Sequence, residues 1–159
     1  MRRSDREVTG LEDIEAIIAK CKVCRLGLLD GKEVYIVPLN FGYTFNGAQL
    51  SLYFHSAQAG RKLDLLRQNN NVCFEMDGAH KLIAAIEACR HSYEYESVIG
   101  NGTAEFIQAD ADKITALKII MRHQTGREFD FDTGAAANIE IFKISSTSFT
   151  AKKRAPLVI

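Results

Sequence analysis

Two dipeptides, Asp30-Gly31 and Asn46-Gly47, each interrupt β-prone apolar runs. Asp or Asn followed by Gly is the strongest short-range signal for a tight hairpin, because such turns need backbone with positive φ. Two reversals this close together make neighbouring strands antiparallel. The pattern predicts strands from Val23 to Leu29, from Glu33 to about Tyr43, and from Gln49 to His55. Runs of hairpin-linked strands argue against a doubly wound parallel sheet.

The rest of the chain fits around this meander. Thr9-Gly10-Leu11-Glu12 has capping-box spacing, and Leu11, Ile14, Ile17 and Ile18 then share a face, predicting a helix over about 11–20. Leu63, Leu66 and the stem of Arg67 predict a short helix within Ala59 to Asn69. Val72 to Met76 reads as strand. Ser92 to Ile107 reads as a long strand bent at Gly100 and Gly102. Asp110 to His123 reads as a helix with Ile114, Leu117, Ile120 and Met121 inward, and Asn138 to Thr150 as the last strand. Mainly β architecture follows: a small barrel of about six antiparallel strands with helices packed outside. With 159 residues and no internal repeat, one domain over 1–159 is expected.

Composition narrows the function. Twenty basic residues balance twenty acidic ones, so the chain lacks the global field of a nucleic-acid or membrane-surface binder. Neither nucleic acid nor membrane is an expected partner, and an anionic ligand must be held by a local cluster of donors. Met1 to Glu7 is charged and no apolar signal core follows, so a cytoplasmic location is expected. Cys21, Cys24, Cys73 and Cys89 are then expected as free thiols. Cys21-x-x-Cys24 ends a helix and enters a strand, the reverse of a thioredoxin-like dithiol, and lacks the second pair of a zinc site; no metal is expected.

The segment Leu52-Tyr53-Phe54-His55-Ser56-Ala57-Gln58-Ala59-Gly60-Arg61-Lys62-Leu63 carries the most chemistry. A strand ends at His55 and Ser56, and Arg61 and Lys62 open a helix. Free N–H groups at a helix start, a hydroxyl and two cations are what a phosphate monoester needs. Arg61 can grip two oxygens bidentately, while Lys62 acts as a point charge. A solvated basic pair explains the same spacing. Upstream, Val37-Pro38-Leu39-Asn40 sits inside an apparent strand, and Pro38 implies an edge, bulge or turn. Main-chain groups there and the Asn40 amide could read a uracil-like ring edge; an edge strand blunted against aggregation is the plainer reading. His55 is the candidate catalytic residue, placed to orient a substrate or donate a proton, with a structural role equally open. Tyr93 and Tyr95 share a strand face and suit the core, a dimer interface or the cover of a bound flat ring. His80, His91 and His123 receive no role.

Tyr35 through Tyr43, Phe54-His55-Ser56-Ala57, Gly60-Arg61-Lys62 and Tyr95 through Ala104 together resemble the nitroimidazole-resistance proteins. Those belong to the pyridoxamine-phosphate-oxidase-like, FMN-binding split-barrel superfamily. The resemblance covers roughly residues 2 to 150. It implies an FMN-binding split barrel that forms a homodimer with flavin at the subunit interface. By motif, Val37, Pro38, Leu39 and Asn40 would line the isoalloxazine. His55 and Ser56 would approach the ribityl chain and phosphate, and Arg61 and Lys62 would hold the phosphate. Ser97 and Val98 would approach from the long strand, of the same subunit or its partner. The implied activity is reduction of small electron-poor compounds such as nitroimidazoles or nitroaromatics. FAD, haem or a deazaflavin in place of FMN, or a non-catalytic carrier or sensor, are the alternatives. The chain has no Trp and lacks the Arg-, His- and Trp-rich C-terminal signature of the oxidases proper, so oxidation of pyridoxamine phosphate is not expected. No Gly-x-Gly-x-x-Gly fingerprint occurs, so reducing equivalents would come from a nicotinamide donor or carrier without a dedicated nicotinamide domain.

Overall fold

The computed structural model describes residues 3–154; the charged start at Met1–Arg2 and the tail 155–159 lie outside the described residues. Among the described residues, eight antiparallel strands form one sheet around a mainly aliphatic and aromatic core. In chain order they are β1 (Glu7–Val8), β2 (Val23–Asp30), β3 (Glu33–Asn40), β4 (Gly42–Phe45), β5 (Leu50–Ala57), β6 (Asn71–Ile83), β7 (Ser92–Phe106) and β8 (Ile139–Arg154). The helices are α1 (Leu11–Lys20), α2 (Arg61–Gln68) and α3 (Asp110–Thr125).

The hydrogen-bonded order is β3-β2-β6-β7-β8-β5-β4, with β1 added to β8. The two ends of this path, β3 and β4, are separated in the chain by Phe41 alone. Adjacent Cα atoms are about 3.8 Å apart, so the sheet must curl until its two edges approach at this corner, where they stay unpaired, as in a split barrel. Phe41 is fully buried at this seam. The expected single strand from Glu33 to Tyr43 is therefore two strands on opposite edges, because the break leaves the β-prone run uninterrupted in sequence.

Eight strands rather than six follow from this break and from the short β1. β6 also runs on to Ile83 instead of stopping at Met76, pairing with β7 across a register shift between Gly78 and Lys81. Asp77, His80 and Lys81 gave this arm the polar look of a loop. Leu82, Ile86 and Tyr93 on or beside it are half or fully exposed, so Tyr93 does not fill the core.

In the β2–β3 hairpin, Asp30 pairs with Glu33, and the two-residue loop is Gly31–Lys32 with φ 61° at Gly31. The reversal thus sits one residue later than the Asp-Gly signal places it, and Asp30 remains a strand residue. The α1 N-cap is Gly10, with no side-chain cap, so the Thr9–Glu12 capping box does not form. Leu11 is correspondingly exposed, while Ile14, Ile17 and Ile18 are buried as the periodicity requires. α3 buries Ala116, Leu117 and Ile120 and crosses β4 at Gly42. A Cβ at Gly42 would come within 2.6 Å of the Ile120 backbone, so only glycine admits the helix there.

Candidate functional site

The β5–α2 junction begins with strand alternation. Leu52, Phe54 and Ser56 point inward, whereas Tyr53 and His55 point outward. Phe54 stacks on Phe142 at 5.1 Å within the core. Ser56 is 6% exposed, and its hydroxyl has no hydrogen-bond partner among the described residues. Such an unsatisfied group costs about 1–3 kcal/mol, which makes it a poor choice for structure alone. Its cross-strand neighbour is Glu140 on β8.

The chain then turns through Gly60, whose φ of 146° and ψ of 155° suit glycine alone. The Gly60 carbonyl accepts from Leu63 and Asp64 N–H at 2.9 and 3.3 Å. No side chain caps the helix, and the Arg61 and Lys62 N–H groups have no partner among the described residues. Leu63, Leu65 and Leu66 fasten α2 beneath the barrel, so its amino end is fixed while its donors stay open.

Arg61 Nε and Nη2 donate to one oxygen of Asp30, at 2.9 and 2.5 Å. Its guanidinium carbon lies 4.4 Å from the Tyr35 ring centroid. The Asp30 hydrogen bonds raise the already high Arg61 pKa, so the cation is permanent. Lys62 is half-buried and forms no ion pair among the described residues. The sequence reading missed Asp30 and Tyr35. Asp30 was absorbed by its turn signal, and no local spacing links either residue to Arg61, which lies far along the chain.

The other expected site residues are dispersed. Val37 and Leu39 face inward and pack on the core, whereas Pro38 and Asn40 face outward. β3 is an edge strand, as Pro38 implies. Asn40 Nδ2 donates to the Lys22 carbonyl at 3.0 Å and to Gln124 at 3.3 Å, so its donors already brace β3 against the end of α3. His55 is exposed, on the opposite strand face from Ser56. Val98 is fully buried in the core and Ser97 half-buried. Ser97 pairs with Lys152 on β8, whereas Ser56, just upstream of α2, pairs with Glu140, twelve residues earlier on the same strand. At about 3.3 Å per residue this is about 40 Å of strand, so one protomer does not gather Ser97 and Val98 with the amino end of α2.

Other polar groups have structural explanations. His123 lies 4.7 Å from the Phe41 ring and 5.0 Å from Tyr43. Its Nε2–H donates to the Cys21 carbonyl at 2.8 Å, and burial lowers its pKa, favouring the neutral ring. Beside it is a cleft of about 490 Å³ between α1, β4 and α3, lined by Glu15, Tyr43, Phe45 and Arg122 among others. Cys21 and Cys24 are buried thiols; burial pushes Cys21 up to about 11 and Cys24 higher still. Neither is a nucleophile at neutral pH.

Comparison with known proteins complements this geometry. The family described as pyridoxamine 5'-phosphate oxidase matches residues 11–153. No curated protein matches the sequence. Among solved structures, a candidate 5-nitroimidazole antibiotic resistance protein from Bacteroides thetaiotaomicron is 35% identical, covering 92% of this chain and 86% of its own, with a TM-score of 0.79. The FAD and haem binding protein from Mycobacterium smegmatis shares the fold at a TM-score of 0.80 and 16% identity, over 95% of this chain and 74% of its own. An FAD-binding protein from Mesorhizobium loti does so at 0.65 and 20%, over 94% and 98%.

Proposed function

Because the chain belongs to the pyridoxamine 5'-phosphate oxidase family, we propose that it binds a flavin nucleotide, FMN, with its phosphate at the amino end of α2. The observation that carries this reading is the buried, unpartnered Ser56 hydroxyl just upstream of a helix start that presents two cations and two open N–H groups. Together they match a phosphate monoester in charge and in donors. The flavin names of the Mycobacterium smegmatis and Mesorhizobium loti proteins lend support to the cofactor class. Since both of those are named for FAD, the mass of the released chromophore decides between FMN and FAD.

The protein acts as a homodimer with flavin at the seam. The outward face of β3, β2, β6 and β7 supports this, because Val34 is 69% exposed, Ile36 62% and Ile99 49%. Ile36, Gly27, Cys73 and Asn101 adjoin in register across the four strands, with Leu29 and Val34 paired beside them. A sheet face with these exposed apolar side chains beside the Arg25–Glu75 and Arg25–Asp77 ion pairs is the sort a second subunit covers. The distance of Ser97 and Val98 from the α2 end is met if each site draws them from the partner protomer. Sedimentation as a monomer with flavin bound contradicts the dimer.

The activity is reduction of small electron-poor compounds such as nitroimidazoles, in the cytoplasm, with electrons from a nicotinamide donor or another carrier. Bound flavin would supply the electron chemistry. The protein's own residues anchor and orient: Arg61 and Lys62 neutralise the phosphate, Ser56 donates to it, and the β3 edge offers main-chain groups to a ring. His55, exposed on the outer face of β5, is the proton donor or substrate-orienting group. The visible spectrum of purified protein tests cofactor binding; anaerobic reduction followed by addition of metronidazole tests turnover. Substrate-dependent reoxidation of the flavin is expected. A yellow protein that reoxidises no faster than free flavin is instead a carrier or sensor.

A further inference from the structure

Arg61 has five N–H donors on a planar fork, with two edges suited to bidentate contacts. The side edge, Nε and Nη2, is taken by Asp30. The flat face lies over Tyr35 at 4.4 Å. The end edge, Nη1 with the second Nη2 proton, has no hydrogen-bond partner among the described residues. The arginine is thus restrained on one edge and one face and left open where a phosphate would bind.

We infer that Asp30 and Tyr35 are positioning residues that preset the Arg61 guanidinium for a phosphate monoester; this rests on the flavin-phosphate reading above. A free arginine side chain samples many rotamers, and much of that freedom is lost when a ligand fixes the fork. Asp30 and Tyr35 take up that loss before the ligand arrives. Asp30 is held in turn by its place in the fold: it is the last β2 residue before the Gly31–Lys32 loop, paired with Glu33. Tyr35 pairs with Leu28 on the same hairpin and packs against the core. The β2–β3 hairpin therefore reaches across to fix a side chain on α2.

This assignment runs against simple charge counting. An aspartate beside a phosphate site repels the ligand, so if charge alone mattered, removing Asp30 would tighten binding. Preorganisation predicts the reverse.

Titration of apo-protein with FMN and with riboflavin, which lacks the phosphate, separates the two. Asp30→Asn keeps a turn-compatible residue and a neutral acceptor; Asp30→Ala removes both. Asp30→Ala should weaken FMN binding about 5- to 10-fold and leave riboflavin unchanged, with Asp30→Asn intermediate. Tyr35→Leu should behave like Asp30→Ala, and Tyr35→Phe, which keeps the ring face, should restore wild-type selectivity. Tighter FMN binding in either Asp30 variant overturns the inference, as does an equal loss of both ligands, which marks a merely structural role. Arg61→Ala is the separate control. If it leaves the FMN-to-riboflavin ratio intact, the phosphate reading fails. If it collapses the ratio while Asp30 and Tyr35 variants do not, only the positioning roles fail.

Discussion

Two buried polar groups near opposite ends of β8 are handled differently. Near its end, Glu96 on β7 is 5% exposed and pairs in register with Lys153. Its carboxylate accepts from Lys153 Nζ at 2.8 Å and Lys20 Nζ at 3.0 Å. Near its start, Ser56 is 6% exposed and pairs in register with Glu140, yet its hydroxyl has no partner among the described residues. The first group is closed by protein alone, tying α1 to the sheet. The second is left open beside uncapped N–H groups and two cations, at a cost in stability. Satisfied burial marks architecture, whereas tolerated dissatisfaction marks a place shaped for something else.

The sharpest way to break this contrast is Arg61→Ala combined with Lys62→Ala. FMN affinity should fall about 100-fold or more, as two charge-assisted contacts are lost, while the urea unfolding midpoint of apo-protein barely moves. Apo-protein titration and a denaturation curve check both halves. An unchanged FMN affinity would remove the cations from the site.

Glu96→Gln probes the closed end. Both lysines are half-exposed, so solvent screening reduces the loss to about 1–2 kcal/mol of stability, with riboflavin and FMN affinities unchanged. The pH dependence has a definite sign. Burial by itself raises the Glu96 pKa, but the hydrogen bonds from Lys153 and Lys20 outweigh it and hold it below the ordinary value. A lowered carboxylate pKa stabilises the fold above the unfolded-state value near 4.3 and loses that contribution as pH falls through the folded value. Wild type should therefore lose its advantage over Glu96→Gln below about pH 4.5, measured by urea midpoints from pH 7 to 3. A constant gap across that range refutes the charge pairing.

Ser56→Ala gives the smallest effect and the cleanest sign. Removing a buried, unpartnered hydroxyl should leave stability unchanged or raise it by up to about 1 kcal/mol. FMN affinity should fall about 3- to 10-fold for the loss of one hydrogen bond. A destabilised variant would mean that Ser56 is structurally satisfied after all.

Much of the β framework was legible because local chemistry and tertiary context agree there. Gly31 and the Asn46 turn reverse the chain, with Asn46 Oδ1 accepting from Ala48 and Gln49 N–H. The apolar faces of α1 and α3 follow a helical period. What could not be read depends on distant partners. The break at Phe41 arises where the chain crosses between the two unpaired edges of the curled sheet, which no short window reports, and the β6 arm is strand because β7 pairs with it. At the candidate site, the Ser56, Gly60, Arg61 and Lys62 motif was visible because it is contiguous. Asp30 and Tyr35 were not, since only folding brings the β2–β3 hairpin to α2. The opposite facing of His55 and Ser56 follows from strand alternation alone and was there to be read.

Comparative titration of wild-type apo-protein with FMN and riboflavin tests the central claim most directly. An anchoring site at the α2 amino end predicts FMN binding at least about 100-fold tighter than riboflavin, with the difference shrinking as salt rises. Equal affinities, insensitive to salt, would contradict it.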